Sequence, residues 1–422
     1  MSTPSRIDAV PTDAVPTDAA GIDAAGIDAA GIDAAGIDAA GRVEHITLAP
    51  APAFRRPVAP LRSRVAYAAA HVVPRVGAEN VPGAPADIDW DATLAFRRHV
   101  WSWGLGVADA MDTAQRNMGL DANATRELIA RSAAEARACG GALVVGVNTD
   151  HIEDEVIGLQ AVIDAYVEQL HFAEDQGAGT VLMASRHLAR AASSPADYQR
   201  VYREVLARAG APVVLHWLGA AFDPQLAGYF GATDVPTCID TVVRIMDENV
   251  DRVRGIKMSL LDADHEIALR ARLPEGTSMF TGDDYNYVGL IEGDGQRHSD
   301  ALLGAFGAVA PNASAAIQAL DAADPLNYRR ILKPTEALAR QVFAAPTFYY
   351  KTGVAFLSWL NGHQPAFSLV GGLQSARSLP HLSTLVRLAN AAGALENPEL
   401  AARRWNAHLQ LHGIETRVGV LA

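Results

Sequence analysis

Lysine is nearly missing from this chain of 422 residues: only Lys257, Lys333 and Lys351 stand among its 35 basic side chains. Cysteine is as scarce. Cys139 and Cys238 lie far apart and form no CxxC pair, which excludes a disulfide framework and a thiolate zinc motif and fits core thiols in a reducing compartment. No run of 18 apolar residues occurs, so no membrane span is expected. No basic segment followed by an apolar stretch opens the chain, so no signal peptide is expected and the location reads as cytoplasmic. Positive charge is in deficit, with a net charge of −13 and no block of one sign. That excludes nucleic acid as a main partner, because phosphate binding requires clustered Lys and Arg. Aromatics make up only 6% of residues. Tyr349, Tyr350, Phe356 and Trp359 read as core or subunit-interface side chains rather than a base-stacking platform.

Half of the residues are hydrophobic, enough for one large α/β domain or two ordinary ones. Residues 1–42 are repetitive. Asp-Ala-Val-Pro-Thr occurs twice, then Ala-Ala-Gly-Ile-Asp recurs to about Gly41. A period of five fits neither helix nor strand, and the recurring glycine weakens a helix, so a disordered low-complexity leader is expected. Residues 43–63, rich in Pro and Ala, read as a linker over the domain surface.

From Arg64 onward short apolar runs alternate with helical stretches. The runs are Val65–Val73, Gly104–Asp112, Ala142–Asn148, Thr180–Ser185, Pro212–Leu218, Val253–Ser259, Ser278–Gly282 and Ala301–Val309. Helix starts lie between them: Asp121 as a cap, Ser194 with Pro195, and Pro236. Val156, Leu159, Val162, Ile163, Tyr166 and Leu170 follow helical spacing through 155–176. Near-continuous apolar strands alternating with helices imply a parallel sheet covered on both faces. Eight such units in residues 64–311 predict a (β/α)8 TIM barrel. The first turn, Val73-Pro-Arg-Val-Gly, lacks the glycine fingerprint of a dinucleotide fold. Residues 312–422 lose the strand signal and predict a C-terminal helical extension, with helices near 313–320, 326–343, 348–360 and 378–392.

An active site in such a barrel lies at the C-terminal ends of the strands. The polar residues there are Asp112 and Thr113; Asn148, Thr149, Asp150 and His151; Ser185, Arg186 and His187; His216; Lys257; and Gly282-Asp283-Asp284. Asp150 and Asp284 are also well placed as helix caps. Lys257 stands out because it closes an apolar strand in a chain that otherwise uses arginine. Guanidinium stays protonated and cannot serve as the neutral amine that attacks a carbonyl.

Val253-Arg-Gly-Ile-Lys257, followed by Thr281-Gly-Asp-Asp284, resembles the dihydrodipicolinate synthase and N-acetylneuraminate lyase family. There a strand-six Gly-Ile-Lys supplies the Schiff-base lysine and strand seven ends in a similar Ser-Gly-Asp-Asp. Ala344-Ala-Pro-Thr-Phe-Tyr-Tyr-Lys351 is similar to the family's Asn-Pro-Ile-Pro-Val-Lys segment, which makes Lys351 a structural residue. Leu385–Gly393 resembles the final helix. The resemblance covers about residues 64 to 395 and is closest to a divergent bacterial branch. It implies a class I aldolase or lyase that forms an imine on Lys257 and needs no metal or organic cofactor. It also suggests a homo-oligomer.

Two departures modify that expectation. The family's strand-two Gly-Thr-Thr-Gly-Glu falls on Met111-Asp112-Thr113-Ala114-Gln115, where an Asp would repel a pyruvate-type carboxylate. The strand-four Tyr-Tyr falls near Ser185-Arg186, and no tyrosine stands in Met183–Ala192. His216 and His187 are then the expected proton relays, since imidazole titrates near neutrality. Asp112, Thr113, Asn148, Arg186, Gly282 and Asp283 are the expected substrate-binding residues, suited to a keto sugar or sugar acid. Asp283 is expected to raise the pKa of Lys257. Two alternatives remain: Asp112, Asp150, His187, His216 and Asp283 could bind a divalent metal in a barrel isomerase or lyase, or the barrel could bind a ligand without turning it over.

Overall fold

The structure, a computed structural model, describes residues 31–38 and 40–416. Among the described residues ten strands run in chain order: β1 (Ile32–Ile37), β2 (Val43–Leu48), β3 (Ala66–Ala69), β4 (Gly106–Asp109), β5 (Leu143–Val147), β6 (Gly179–Leu182), β7 (Val213–Leu218), β8 (Val253–Ser259), β9 (Ser278–Thr281) and β10 (Asp300–Leu303). β3 through β10 are parallel and close into a barrel, with β10 paired to β3. All eight expected barrel strands are present. Most end earlier than the apolar runs, because the chain beyond the last ladder bond turns into the loops of the mouth.

The barrel interior is a cluster of its own. Tyr67, Met111, Val144, Val181, Phe280 and Leu302 pack inside the ring, apart from the larger core between strands and helices. Side chains alternate along each strand. On β8, Ile256 and Met258 therefore join the outer core, and Gly255, Lys257 and Ser259 face the interior. The register pairs Lys257 with His216 of β7 and Phe280 of β9, which puts all three at one level of the ring.

The helix starts follow the capping chemistry of the sequence. Asp121 accepts from Ala124 N at the head of helix Ala122–Cys139, and Ser194 with Asp197 forms a capping box on Pro195–Leu206. Asp234 caps Val235–Glu248. The extension contains Ala310–Asp321, Pro325–Val342, Tyr350–Leu360 and Leu379–Ala391. It also contains a further helix, Pro398–Leu411, which the apolar pattern did not reveal. Among the described residues no helix is long and apolar enough to cross a membrane.

The expected leader and linker need correction. Residues 1–30 of the leader lie outside the described residues, but 32–37 form β1 and pair antiparallel with β2, from Ile32 opposite Leu48 to Ile37 opposite Val43. The pentad lacks a strand period, yet its small residues let β1 lie close against the extension. Ala34, Ala35 and Ile37 are buried, Trp405 Nε1 donates to Ala35 O at 2.7 Å, and Ile37 N donates to Ser383 Oγ at 2.7 Å. Side chains of the helices thus supply the edge hydrogen bonds that a strand pattern normally announces.

Candidate active site

Lys257 is 7% exposed and sits in the mouth of the barrel. Burial holds its ammonium below the usual lysine range, while the carboxylates of Asp112 and Asp284 act in the opposite direction. Burial also pushes the Asp284 carboxyl up to about 7. Desolvation thus moves both groups toward their neutral forms, an amine able to attack and a carboxylic acid able to give a proton. Gly282 makes this packing possible. A Cβ there would lie 2.8 Å from Lys257 Cε and would collide with Ser259 Oγ, so any larger residue would displace the lysine stem.

The two aspartates after β9 exchange the roles expected of them. Asp283 Oδ1 accepts from Tyr285 N at 2.8 Å and Asn286 N at 3.1 Å, and Oδ2 accepts from Asn286 Nδ2. It shapes the turn into helix Tyr287–Glu292 and does not face the lysine. Asp284 was read as the cap. It accepts from Ala305 N at 2.8 Å and lies in the field of Lys257. The turn explains the exchange: it takes up the Asp283 carboxylate through Tyr285 and Asn286, and Asp284 is left on the side of the lysine.

The two imidazoles have different surroundings. His187 keeps neither ring nitrogen free. Its Nε2 donates to Asp154 O at 2.9 Å, which makes Nδ1 the acceptor of the Thr149 hydroxyl at 2.7 Å. Thr149 in turn meets Ser185 Oγ at 2.7 Å. This chain of hydrogen bonds braces the loops after β5 and β6 and occupies both ring nitrogens. His216 does face the interior beside Lys257. It is fully buried, with Nε2 3.3 Å from Ser259 Oγ and Nδ1 without a partner. Burial and then the charge of Lys257 hold it well below the usual histidine range, so it is neutral at pH 7 and a poor proton donor.

A buried tyrosine from the extension also reaches this region. Tyr350, the first residue of helix Tyr350–Leu360, places its hydroxyl 2.8 Å from Thr113 Oγ1. Its phenol is fully buried and raised well above the usual tyrosine range by desolvation, with Asp112 and Asp284 adding to the effect. It therefore stays protonated as a donor, in the field of the same two carboxylates that surround Lys257. Lys351 follows it into the mouth. Its Nζ donates to Phe348 O at 3.1 Å. Burial pushes it down to about 8, while Asp112, then Asp223, favour its charge. One signal in the sequence points to Tyr350: it adjoins Lys351, one of the three lysines.

A cavity of about 240 Å³ opens above β5 to β7, with Asp112, Asn148, Arg186, His187 and Asp223 on its wall. Arg186 is fixed by Asp223 through Nε–Oδ2 at 2.7 Å, and Asn148 Oδ1 accepts from Thr149 N at 2.7 Å. Lys257 is not on this wall, and Asp112 is the side chain common to the cavity and the lysine. The residues weighed as metal ligands are not assembled. Asp150 is bound by Arg116 through Nε at 2.9 Å and a second, shorter contact. His187 and Asp283 are engaged as described. Among the described residues the one group of His, Cys, Asp or Glu with converging ligand atoms lies elsewhere, at His99, His363 and Glu396.

The family described as a protein of unknown function (DUF993) matches residues 37–414. No curated protein matches the chain. Solved structures do. A 4-hydroxy-tetrahydrodipicolinate synthase from Methylacidiphilum fumariolicum superposes with a TM-score of 0.58 at 16% identity, covering 82% of this chain and 98% of that one. A dihydrodipicolinate synthase from Bacillus anthracis gives 0.57 at 14% identity, covering 76% and 96%. One from Aquifex aeolicus gives 0.55 at 13% identity, covering 84% and 99%. At these identities the likeness establishes the fold: the barrel and helical extension expected from the sequence are those of the dihydrodipicolinate synthases.

Proposed function

The chain belongs to the DUF993 family of proteins of unknown function, and from that premise we propose that it is a Schiff-base aldolase or lyase acting on a small polyhydroxylated carbonyl compound, a keto sugar or sugar acid. The observation that carries this reading is a buried Lys257 held toward its neutral form, with a protonated phenol, Tyr350, in the field of the same carboxylates.

Lys257 Nζ attacks the substrate carbonyl carbon. The carbinolamine loses water and leaves a protonated imine on Nζ. That iminium draws in the electron pair of an adjacent C–C or C–H bond as the bond breaks; the enamine so formed takes up a proton at carbon, and water then hydrolyses the regenerated iminium and frees the lysine. Tyr350, hydrogen-bonded to Thr113, moves protons to and from the substrate oxygen, the role first expected of His216 or His187. Asp284 is the nearby acid. The hydroxyl-bearing end of the substrate rests in the cavity against Asn148 and Arg186, and Asp112 lies between the two ends. A carboxylate at the Asp112 position disfavours pyruvate and suits hydroxyl groups, which donate to it. Asp283 and Gly282 act through shape: one sets the turn, the other leaves room for the lysine. No metal or organic cofactor is needed, and the partner is the small-molecule carbonyl substrate. The resemblance to the synthase family also suggests a homo-oligomer.

Imine trapping tests the proposal. The protein is incubated with pyruvate, 2-keto-3-deoxy sugar acids and keto sugars, treated with borohydride, and mapped by mass spectrometry. An adduct on Lys257 with a polyhydroxylated carbonyl is the expected result. An adduct confined to Lys351, or none across the panel, overturns it.

A further inference from the structure

Far apart in sequence from the mouth residues, three side chains from three segments converge on one point. His99 lies in the last turn of helix Trp90–Ser102, a helix packed on the barrel. His363 lies in the turn after helix Tyr350–Leu360, and Glu396 in the loop before helix Pro398–Leu411. Both imidazoles present Nε2 to the same carboxylate oxygen. His363 Nε2 is 2.7 Å from Glu396 Oε1, and His99 Nε2 is 3.4 Å from it. The two rings lie 4.1 Å apart between centroids. None of the three lines the barrel cavity.

His363 and Glu396 are hydrogen-bonded at 2.7 Å, and the three ligand atoms together also lie close enough to coordinate one ion. Zinc binds histidine nitrogen at about 2.0–2.1 Å and carboxylate oxygen at about 2.0–2.2 Å in tetrahedral sites, which sets neighbouring ligand atoms about 3.3–3.5 Å apart. The His99–Glu396 separation of 3.4 Å already has that value, and the His363–Glu396 contact needs to open by only a fraction of an ångström. The ligand atoms all fall within 4.8 Å of one another. The side chains are 15%, 17% and 28% exposed, in the order His99, His363, Glu396. An ion at their focus therefore keeps one side open for a water as fourth ligand. Two imidazoles and one carboxylate favour a borderline transition metal over Mg²⁺ or Ca²⁺, which take oxygen ligands.

The segments are held in place from outside the cluster. Asn361 Oδ1 accepts from Glu396 N at 3.0 Å, and Asn361 Nδ2 donates to Ala394 O at 3.0 Å. The loop carrying Glu396 is thus locked to the turn carrying His363 before any ion arrives. Outer partners that fix ligands in this way are a regular part of metal sites. The geometry points to a divalent-metal site of the zinc class, built by His99, His363 and Glu396, which ties the first barrel helix to the C-terminal extension. Its role is to clamp the two together, separate from any chemistry at Lys257.

The test uses the full-length chain without a histidine tag, stripped with chelator and dialysed. Zn²⁺ is titrated by calorimetry, and Co²⁺ is followed by its visible absorption. The expected result is one ion per chain, cobalt bands of a four-coordinate site, and a melting midpoint that rises with Zn²⁺ concentration as binding to the folded state requires. His363→Ala and Glu396→Gln are each expected to weaken binding at least tenfold. Should His363→Ala fail to fold, Glu396→Gln and His99→Asn decide the matter, since each keeps a polar side chain in place. The inference is overturned if no stoichiometric binding occurs, or if Zn²⁺ binds these variants as tightly as the parent. Adduct formation on Lys257 is a separate readout, expected to persist in all three variants.

Discussion

Two buried charge clusters stand on strands of the same barrel and are built in opposite ways. Asp109, the last residue of β4, points outward and meets Arg97 of helix Trp90–Ser102, both with fully buried side chains. The pair is bidentate, with Nε–Oδ2 at 2.9 Å and Nη2–Oδ1 at 2.8 Å. Arg97 Nη1 also donates to His71 O and Thr93 O, and the Ser132 hydroxyl donates to Asp109 Oδ2. Lys257, on the inner side of β8, has carboxylates in its surroundings and no such frame, and its environment moves it toward neutrality. Saturated partners on a buried pair tie a helix to a strand, and removing one partner is costly. A buried charge without them sheds or takes up a proton, and that is the condition chemistry needs.

Replacing each cluster's central cation tests this contrast most sharply. Lys257→Ala is expected to abolish both turnover and the borohydride adduct while leaving the melting midpoint nearly unchanged. An adduct surviving at full yield would remove the lysine from the mechanism. Arg97→Ala strands Asp109 as an unpaired buried carboxylate and is expected to cost about 3–5 kcal/mol of stability by chemical denaturation. A loss below about 1 kcal/mol would mean that the outer pair is no more structural than the inner cluster. Tyr350→Phe removes only the phenol oxygen. It is expected to lower kcat by roughly 10²–10⁴-fold, the range of general acid–base catalysis, while the adduct on Lys257 still forms. Unchanged kcat would return the relay to His216.

Asp284→Asn acts on proton affinity. The negative charge of Asp284 favours the ammonium form of Lys257. Its removal lowers the lysine pKa, so more neutral amine is present at a given pH. The acid limb of the kcat/KM profile is therefore expected to move to lower pH, and a move to higher pH would contradict the assigned coupling. Lys351→Met is the intermediate case, a buried lysine with one carbonyl partner on Nζ. A near volume-conserving change is expected to cost less than about 1.5 kcal/mol and to leave the adduct on Lys257. Loss of that adduct in folded protein would make the two lysines one functional unit.

The parts legible in the sequence were those with local or periodic signals. The alternation of apolar runs and capped helices announced eight barrel strands, because a parallel sheet buried on both faces needs continuous apolar strands. Lys257 was visible because a chain that prefers arginine retained an amine. Asp283 and Asp284 could not be told apart by counting along the strand, because both stand past Thr281, the last residue of β9, where strand alternation no longer applies. Nothing local could show that both nitrogens of His187 are taken, by Thr149 and by Asp154 O. Nor could it show that β1, drawn from a pentad repeat, would find its edge partners in Trp405 and Ser383.

By itself, then, the sequence determined the barrel, its helical extension, and the strand end at which an uncharged amine could stand. These follow from periodicity, capping and residue chemistry, which act over a few residues. Only the tertiary structure decided which groups surround that amine. It brought Tyr350 to Thr113 from 237 positions away, turned Asp284 rather than Asp283 toward the lysine, and gathered His99, His363 and Glu396 at one point. Such contacts depend on how packed elements register against one another, and no property of a short stretch of chain encodes that on its own.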